Sequence, residues 1–415
     1  MKLLLISQYF WPEPFGINML ASALCKRGIE VTVLTGKPNY PDGLVYPGYS
    51  ARGVTREDFE GVEVVRLPLF PRGKGSSIRL ALNYFSFVVA GYVLGPWLMR
   101  RRRFDAVFVY APSPLLQALP AIWLAGLKRV PLVLWVQDLW PESLSATGFI
   151  KNSVVLDLVR RCVRFIYHHV DRILVPSEAF RGPIEALSDE PRKIRYYPNA
   201  YVEHPVVEAQ PAAVQSLIAD ISRGFSVVFA GNLGVAQSLK TVIEAAEQLK
   251  ETGEEIRFFL IGSGSQSDWL TAEVRRRGLG NVVLPGRFPS SAMPNIYAAS
   301  SALLVSLRDE PIFSFTIPSK VQGYLAAGKP VIAAINGEGA RIVIEAGAGV
   351  ECAAGDSGAL ANAVSMLARL GADKRAKMGE NGRRYAIENF SLDRLADDLA
   401  DQLDKLSSAS KEKHR

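Results

Sequence analysis

Short runs of apolar residues rich in Val, Ile and Leu alternate along the chain with longer stretches whose apolar positions recur every three or four residues. A continuous apolar run of strand length indicates a strand buried on both faces, and the longer period indicates a helix with one buried face. In the first half this predicts strands at 3–7, 31–35, 62–67, 106–110, 132–136, 172–175 and 194–197, with helices at 17–27, 115–128 and 154–169. The alternation then restarts, with strands at 226–230, 257–261, 282–284, 303–306 and 331–334 and helices at 239–250, 269–277, 319–327 and 359–370. The expected fold class is therefore α/β, with two Rossmann-like, doubly wound parallel-sheet domains facing across a cleft. Their bounds are expected at 1–200 and 201–390, joined through the polar, proline-containing stretch 199–223. A last amphipathic helix is predicted at 391–406 with a frayed polar tail at 407–415, the segment 391–415 packing back on the first domain.

One stretch departs from this rhythm. Residues 80–99 hold no Asp, Glu, Lys or Arg and are followed at once by Arg100, Arg101, Arg102 and Arg103. Twenty such residues could span a bilayer, with the arginines on the cytoplasmic side. Asn83, Ser86, Gly91, Gly95 and Pro96 weaken a span, which would also cut through the first Rossmann unit. Two other readings stay open: a buried helix of the first domain, or a helix docked on anionic lipid from Leu80 to Arg103.

Charge sharpens the picture. Residues 1–200 hold 25 Lys and Arg against 16 Asp and Glu, a charge of +9, and the remainder holds 23 against 25, a charge of −2. The basic half indicates an anionic partner, phosphate or membrane surface, and without a zinc-finger or helix-turn-helix signature nucleic acid is not expected. Cys25, Cys162 and Cys352 are scattered and lack ligand spacing, and only four histidines are present, so a metal site or a Ser-His-Asp triad is disfavoured. The total of 415 residues, 48% of them hydrophobic, suits two self-sufficient cores. The opening apolar run is too short for a secretory signal and reads as a buried first strand. A cytoplasmic location is expected, with peripheral contact on the inner face of the plasma membrane.

The candidate chemistry sits at predicted strand ends. Pro12-Glu13-Pro14-Phe15-Gly16 leads into a helix, and Gly16 would let backbone amides approach a ligand. It is not G-x-G-x-x-G, so a dinucleotide enzyme is disfavoured. In the second half, Gly231-Asn232-Leu233-Gly234 and Gly262-Ser263-Gly264-Ser265 are consecutive glycine loops able to cradle a diphosphate. In Ile317-Pro318-Ser319-Lys320-Val321-Gln322, Ser319 and Lys320 open a helix. A lysine is unfavourable beside the positive end of a helix dipole unless an anion binds there, and this marks Lys320 as a phosphate ligand. Gln137-Asp138-Leu139-Trp140-Pro141-Glu142 places carboxylates after the 132–136 strand, with Asp138 the candidate for catalysis and Glu142 for the acceptor. Lys37 and Asn39, in the turn-rich loop 35–43, are further candidates for the acceptor. Glu338 and Gly339 open another helix and could hold sugar hydroxyls or phosphate.

With these motifs the sequence resembles the retaining GT-B glycosyltransferases of bacterial polysaccharide assembly, over nearly its whole length. The cues are Pro38-Asn39-Tyr40-Pro41, Asp138-Leu139-Trp140-Pro141-Glu142-Ser143, Gly231-Asn232-Leu233, Ile317-Pro318-Ser319-Lys320 and the run from Tyr324 to Pro330. They are most similar to colanic-acid and O-antigen transferases acting on 6-deoxy amino sugars such as N-acetylfucosamine. The resemblance implies transfer of a sugar from a nucleotide diphosphate, UDP by analogy, to a glycan or polyprenyl-diphosphate-linked acceptor with retention at the anomeric carbon. It implies no protein nucleophile, no cofactor and no metal, with the departing diphosphate taking the acceptor's proton. The chain departs from the family pattern where an E-x₇-E pair is usual: those positions hold Phe315 and Gly323, which leaves the ribose contact open, with Gln322 as its neighbour. Asn232 and Gln237 stand where the family carries an Arg and a Lys on the diphosphate, Gln137 where a His is frequent, and Arg287 or Arg308 could assist Lys320. Two further readings are a nucleotide-sugar 2-epimerase, which would need acid/base groups this chain offers sparingly, and a non-catalytic subunit that binds sugar nucleotides.

Overall fold

The computed structural model describes residues 1–73, 77–146, 152–201 and 210–413. The chain divides into two compact units, one of residues 1–200 with 392–415 and one of residues 201–391.

In the first unit an eight-stranded sheet runs β3-β4-β2-β1-β5-β6-β7-β8. Its strands are β1 (Lys2–Ile6), β2 (Glu30–Thr35), β3 (Thr55–Phe59), β4 (Val62–Arg66), β5 (Ala106–Ala111), β6 (Leu132–Val136), β7 (Arg172–Val175) and β8 (Ile194–Tyr196). All pairings are parallel except that of β3 with β4. The apolar strands are almost wholly buried, as continuous Val/Ile/Leu runs require. β3 escapes a reading based on apolar runs because Thr55-Arg56-Glu57-Asp58-Phe59 is an exposed edge strand, formed by its register with β4. Chain order reverses between β1 and β5, so ligands are expected beyond the C-terminal ends of these strands.

The helix Ser77–Met99 is a layer of this unit and not a separate span. Gly91 and Gly95 let it press on the helix Ala118–Lys128: a Cβ on Gly91 would lie 2.8 Å from Pro120, and one on Gly95 3.2 Å from Leu124. Its polar Asn83 is wholly buried and bonded to Gln8 and to the Phe70 carbonyl, both at 2.7 Å. The opposite face is open, with Ile78, Phe85, Val89, Val93 and Trp97 all more than half exposed. One side of this helix is packed in the unit and the other is exposed.

The C-terminal helix runs from Leu392 to Lys413, so the expected frayed tail is helical well past residue 406. Leu395, Ala396, Leu399 and Leu403 enter the core around β1, β2 and the helix Gly16–Lys26. The Tyr197 hydroxyl donates to the Leu395 carbonyl at 2.6 Å, and Arg27 is ion-paired with Asp393 and Asp397. Apolar positions every three or four residues make this helix part of the first unit's core.

The second unit holds a six-stranded parallel sheet ordered β11-β10-β9-β12-β13-β14. Its strands are β9 (Phe225–Asn232), β10 (Ile256–Ser263), β11 (Val282–Gly286), β12 (Ala302–Ser306), β13 (Val331–Ala334) and β14 (Gly349–Cys352). β14 is a short edge strand that an apolar-run reading passes over, and a helix, Ala212–Ile221, lies inside the stretch read as a linker. Leu395→Ala and Leu399→Ala both delete buried leucine from the first unit, where such a deletion costs about 2–5 kcal/mol. Calorimetry should show that unit's melting midpoint lowered by on the order of 5–10 °C for Leu399→Ala.

Candidate functional site

In the second unit the two glycine loops are brought together by pairing of β9 with β10, which sets Gly231 against Gly262 and Asn232 against Ser263. Gly262 has φ +141°, and a Cβ there would lie 1.8 Å from the Gly231 carbonyl oxygen. Gly231 has φ +137°, and a Cβ there would lie 2.8 Å from Cε of Lys320. Backbone conformation favours glycine at both positions, and at Gly262 the Gly231 backbone also leaves no space for a side chain. A cavity of about 750 Å³ opens here, lined by Gly231, Asn232, Gly262, Ser263, Arg287, Phe288, Ser290, Met293 and Tyr297 among others. Gly264 adds a close approach of its own, its Cβ position 2.6 Å from the Asn232 side-chain oxygen.

Lys320 stands in the first turn of the helix Ser319–Ala326, whose N-cap, Pro318, offers no side-chain cap. Its ammonium donates to the Gln237 side-chain oxygen and lies 3.9 Å from the centre of the Phe229 ring. Burial pushes its pKa down to about 8. The helix dipole adds to the cost of the charge, so an anion placed at Gly231 would relieve an unfavourable site. Ser319 is exposed beside it.

The other donor-side residues fare unequally. Gln322 is 4% exposed, on the inner side of the helix with Val321 and Leu325, so its amide is not displayed for ribose. An added Cβ at Gly323 would meet the Tyr201 ring at 3.5 Å. Glu338 is 8% exposed and both its oxygens take hydrogen bonds from Arg341, at 2.9 and 3.1 Å, so sugar hydroxyls would have to compete for it. Gly339 packs on Pro318, where a Cβ would lie 2.9 Å away, and so joins the start of the helix Glu338–Glu345 to that of Ser319–Ala326.

In the first unit Asp138 follows β6. Trp140 Nε1 donates to it at 3.1 Å, Ser113 and Ser143 also bond it, and burial nevertheless holds its pKa above the usual carboxylate range. Glu142 is exposed in the first turn of the helix Glu142–Ala146. Gly16 is exposed at the start of the helix Gly16–Lys26 and a Cβ there would meet nothing, so only its backbone amide is distinctive. Lys37 and Asn39, expected to face an acceptor, are both wholly buried. Lys37 Nζ donates to Thr55 Oγ1 at 2.7 Å, and the Asn39 side chain bonds the Lys37 carbonyl at 2.9 Å and the Arg72 amide at 3.1 Å. Both are consumed in fixing the loop after β2, because a buried polar group must find protein partners.

What the glycine-centred reading passed over is Glu13, fully buried between two loops. Its Oε1 accepts from the amides of Asn39 and Tyr40 at 2.8 and 2.7 Å, and Oε2 from that of Phe10 at 3.2 Å. Burial raises its pKa to about 7 against the pull of those donors. Its position between two prolines was the available signal. Among the described residues no group of three or more His, Cys, Asp or Glu is placed to hold a metal ion.

The architecture is two α/β units, the second with glycine loops lining one cavity and the Lys320 side chain set against Gly231. Residues 16–200 match the glycosyl transferase 4-like domain and residues 221–385 the glycosyl transferases group 1 domain. Both matched domains are glycosyl transferase domains, and together they span most of the chain. It is 27% identical over 341 residues to WcaI of Escherichia coli strain K12, named as a colanic acid biosynthesis glycosyl transferase, covering 79% of this chain and 82% of that protein. It is 29% identical over 304 residues to the glycosyltransferase WbjE of Pseudomonas aeruginosa, covering 70% and 74%. Among solved structures, Anabaena Alr3699/HepE in complex with UDP and glucose superposes with a TM-score of 0.64 at 18% identity, covering 98% of this chain and 100% of that one.

Two outcomes follow from the titrating groups. With the Lys320 pKa near 8, UDP affinity measured by calorimetry should weaken as pH rises from 7 to 9.5, and Lys320→Ala should bind more weakly without that dependence. Glu13 has a folded pKa above its unfolded value, so its contribution is present below about 4.5 and lost as pH rises through about 7. The fall in melting midpoint between pH 4.5 and 8 should be smaller in Glu13→Gln, by the equivalent of about 3 kcal/mol at most.

Proposed function

We propose that this glycosyltransferase acts in assembly of a bacterial surface polysaccharide, moving a sugar from a nucleotide diphosphate with retention of anomeric configuration. The observation that carries the reading is the cavity lined by Gly231 and Gly262, with the end of the Lys320 side chain set against Gly231. A diphosphate there meets backbone amides, the start of the Ser319–Ala326 helix and a cation at low dielectric. Those are the groups that stabilise charge on a departing diphosphate. Arg287 lies on the cavity wall and is exposed, where it can reach a phosphate or sugar. UDP is the proposed carrier, supported by the UDP complex of the HepE neighbour.

The proposed sugar is a 6-deoxy amino sugar such as N-acetylfucosamine, and the acceptor a glycan or polyprenyl diphosphate. Both proposals are supported by the cue motifs and by the relatives' names. Asp138 is the candidate catalytic carboxylate, and the amide of Gly16 and the exposed Glu142 are the candidates for acceptor contact. We propose metal-independent transfer, because Lys320 and the helix start supply the positive charge. Contact with the inner face of the plasma membrane through residues 80–103 is part of the proposal, supported by the open apolar side of the Ser77–Met99 helix.

Incubation with UDP-sugars and a lipid-diphosphate acceptor, read by UDP release and by NMR of the new anomeric centre, tests the reading. Lys320→Ala should reduce turnover by about 100-fold or more, and a chelator should leave wild-type turnover unchanged. Isomerised donor in the absence of acceptor would indicate an epimerase, and an inverted product would overturn retention.

A further inference from the structure

At the N-terminal ends of β5 and β6, the opposite end of the strands from Asp138, lies another cavity, of about 590 Å³. Six cations line it, Arg100, Arg102, Arg103, Lys128, Arg129 and Lys411, against a single lining carboxylate, Asp105. Some are occupied. Arg102 is paired with Glu63 and Lys411 with Asp105, while Lys128 Nζ donates to the carbonyls of Met99 and Arg102 at 2.6 and 2.7 Å. The side chains of Arg103 and Arg129 are exposed and make no hydrogen bond or ion pair among the described residues. After the two acids are set against their partners, four positive charges remain around one concavity. A site of that charge without a ligand carries uncompensated repulsion.

Arg129 is also held in an unusual way. It caps the helix Ala118–Lys128 at φ 55° and ψ 48°, the left-handed conformation that favours glycine. The chain keeps a long cation where glycine would sit with less strain, and that cation lines the cavity.

The second observation is what adjoins it. The cavity closes the foot of the Ser77–Met99 helix, whose open face carries Ile78, Phe85, Val89, Val93 and Trp97. The neighbouring helix adds Trp123, 47% exposed and stacked on Tyr92, and Leu127, 50% exposed and itself part of the cavity wall. An apolar face that runs into a basic concavity, with Arg100 stacked on Trp97 and Arg103 and Arg129 without side-chain partners among the described residues, matches the acyl-to-phosphate boundary of a bilayer, and lone phosphate would need only the arginines.

We propose that this cavity binds the phosphate of an anionic phospholipid headgroup, with Arg103 and Arg129 as its principal ligands, while the apolar face lies against the acyl region. The inference rests on the membrane contact proposed above and assigns it a headgroup site. Co-sedimentation with vesicles of phosphatidylcholine and phosphatidylglycerol tests it on the full chain. The variant Arg103→Ala/Arg129→Gly relieves strain at residue 129 and should keep UDP binding, yet lose vesicle affinity by about tenfold or more. Arg192→Ala/Arg195→Ala, which removes the same charge beside β8, should retain it. Inorganic phosphate at matched ionic strength should not displace wild type from vesicles. Equal loss in both variants, no loss in the first, or displacement by inorganic phosphate overturns the headgroup site. Wild type that ignores the vesicles overturns the membrane contact as well, whereas the transferase reading stands or falls on UDP release.

Discussion

The second unit depends on one steric fact, the contact between Gly231 and Gly262 across β9 and β10. Gly262 admits no side chain because a Cβ would strike the Gly231 carbonyl, and both positions take backbone angles that glycine adopts at low cost. This leaves room beside Gly231 for the end of the Lys320 side chain, which rests on the Phe229 ring and is bonded to Gln237. The ammonium is held by a neutral amide and an aromatic face, neither of which cancels its charge. A carboxylate in the place of Gln237 would have formed an ion pair and left less positive potential for an anion. The neutral partner is therefore consistent with a charge kept for a ligand.

The first unit uses the opposite arrangement. Its polar interior is largely bonded within the protein: Glu13 accepts from the amides of three residues, the Asn83 amide donates to the Asn39 side-chain oxygen at 3.3 Å, and the Gln8 backbone N–H donates to the Gln117 side-chain oxygen at 2.7 Å. Such a network fixes the loops after β1 and β2 without offering side chains to a ligand. What it presents instead is shaped surface: Tyr9, Phe15 and Tyr40 pack with ring centres 5.1 to 5.7 Å apart around Glu13's loops. Burial of a carboxyl so completely makes the loop geometry sensitive to its ionisation.

Legibility in the sequence followed the physics of burial. Strands β6, β7 and β13 match the apolar runs at both ends because both their faces are covered. β3 and β14 are edge strands whose partners define them, and nothing in Thr55-Arg56-Glu57-Asp58-Phe59 carries that signal alone. At the site, glycine loops and Lys320 were readable because strained backbone and a misplaced charge are local properties. The fates of Lys37, Asn39 and Gln322 were not, since a polar side chain turned inward or outward by one helix or loop position has the same spelling. Glu13 was hidden for the same reason: its partners lie on another loop, about 26 residues away.

The distribution of charge gains meaning from the fold. The excess of +9 in residues 1–200 is partly spent on internal pairs, Arg66 with Glu57 and Arg102 with Glu63. Arg103 and Arg129 are not so spent, and they stand at the foot of a helix whose outer face is apolar. Residues 201–415 carry −2 in all, and in the second unit the positive groups at or beside the cavity are the half-buried Lys320 and the exposed Arg287. Net charge alone would place the anion-binding function in the first half. Burial reverses that ranking for a small ligand: at low dielectric one desolvated ammonium attracts a diphosphate more strongly than several solvated guanidiniums, while the solvated cluster suits an extended anionic surface. The two halves thus differ less in how much positive charge they hold than in whether water has been removed from it.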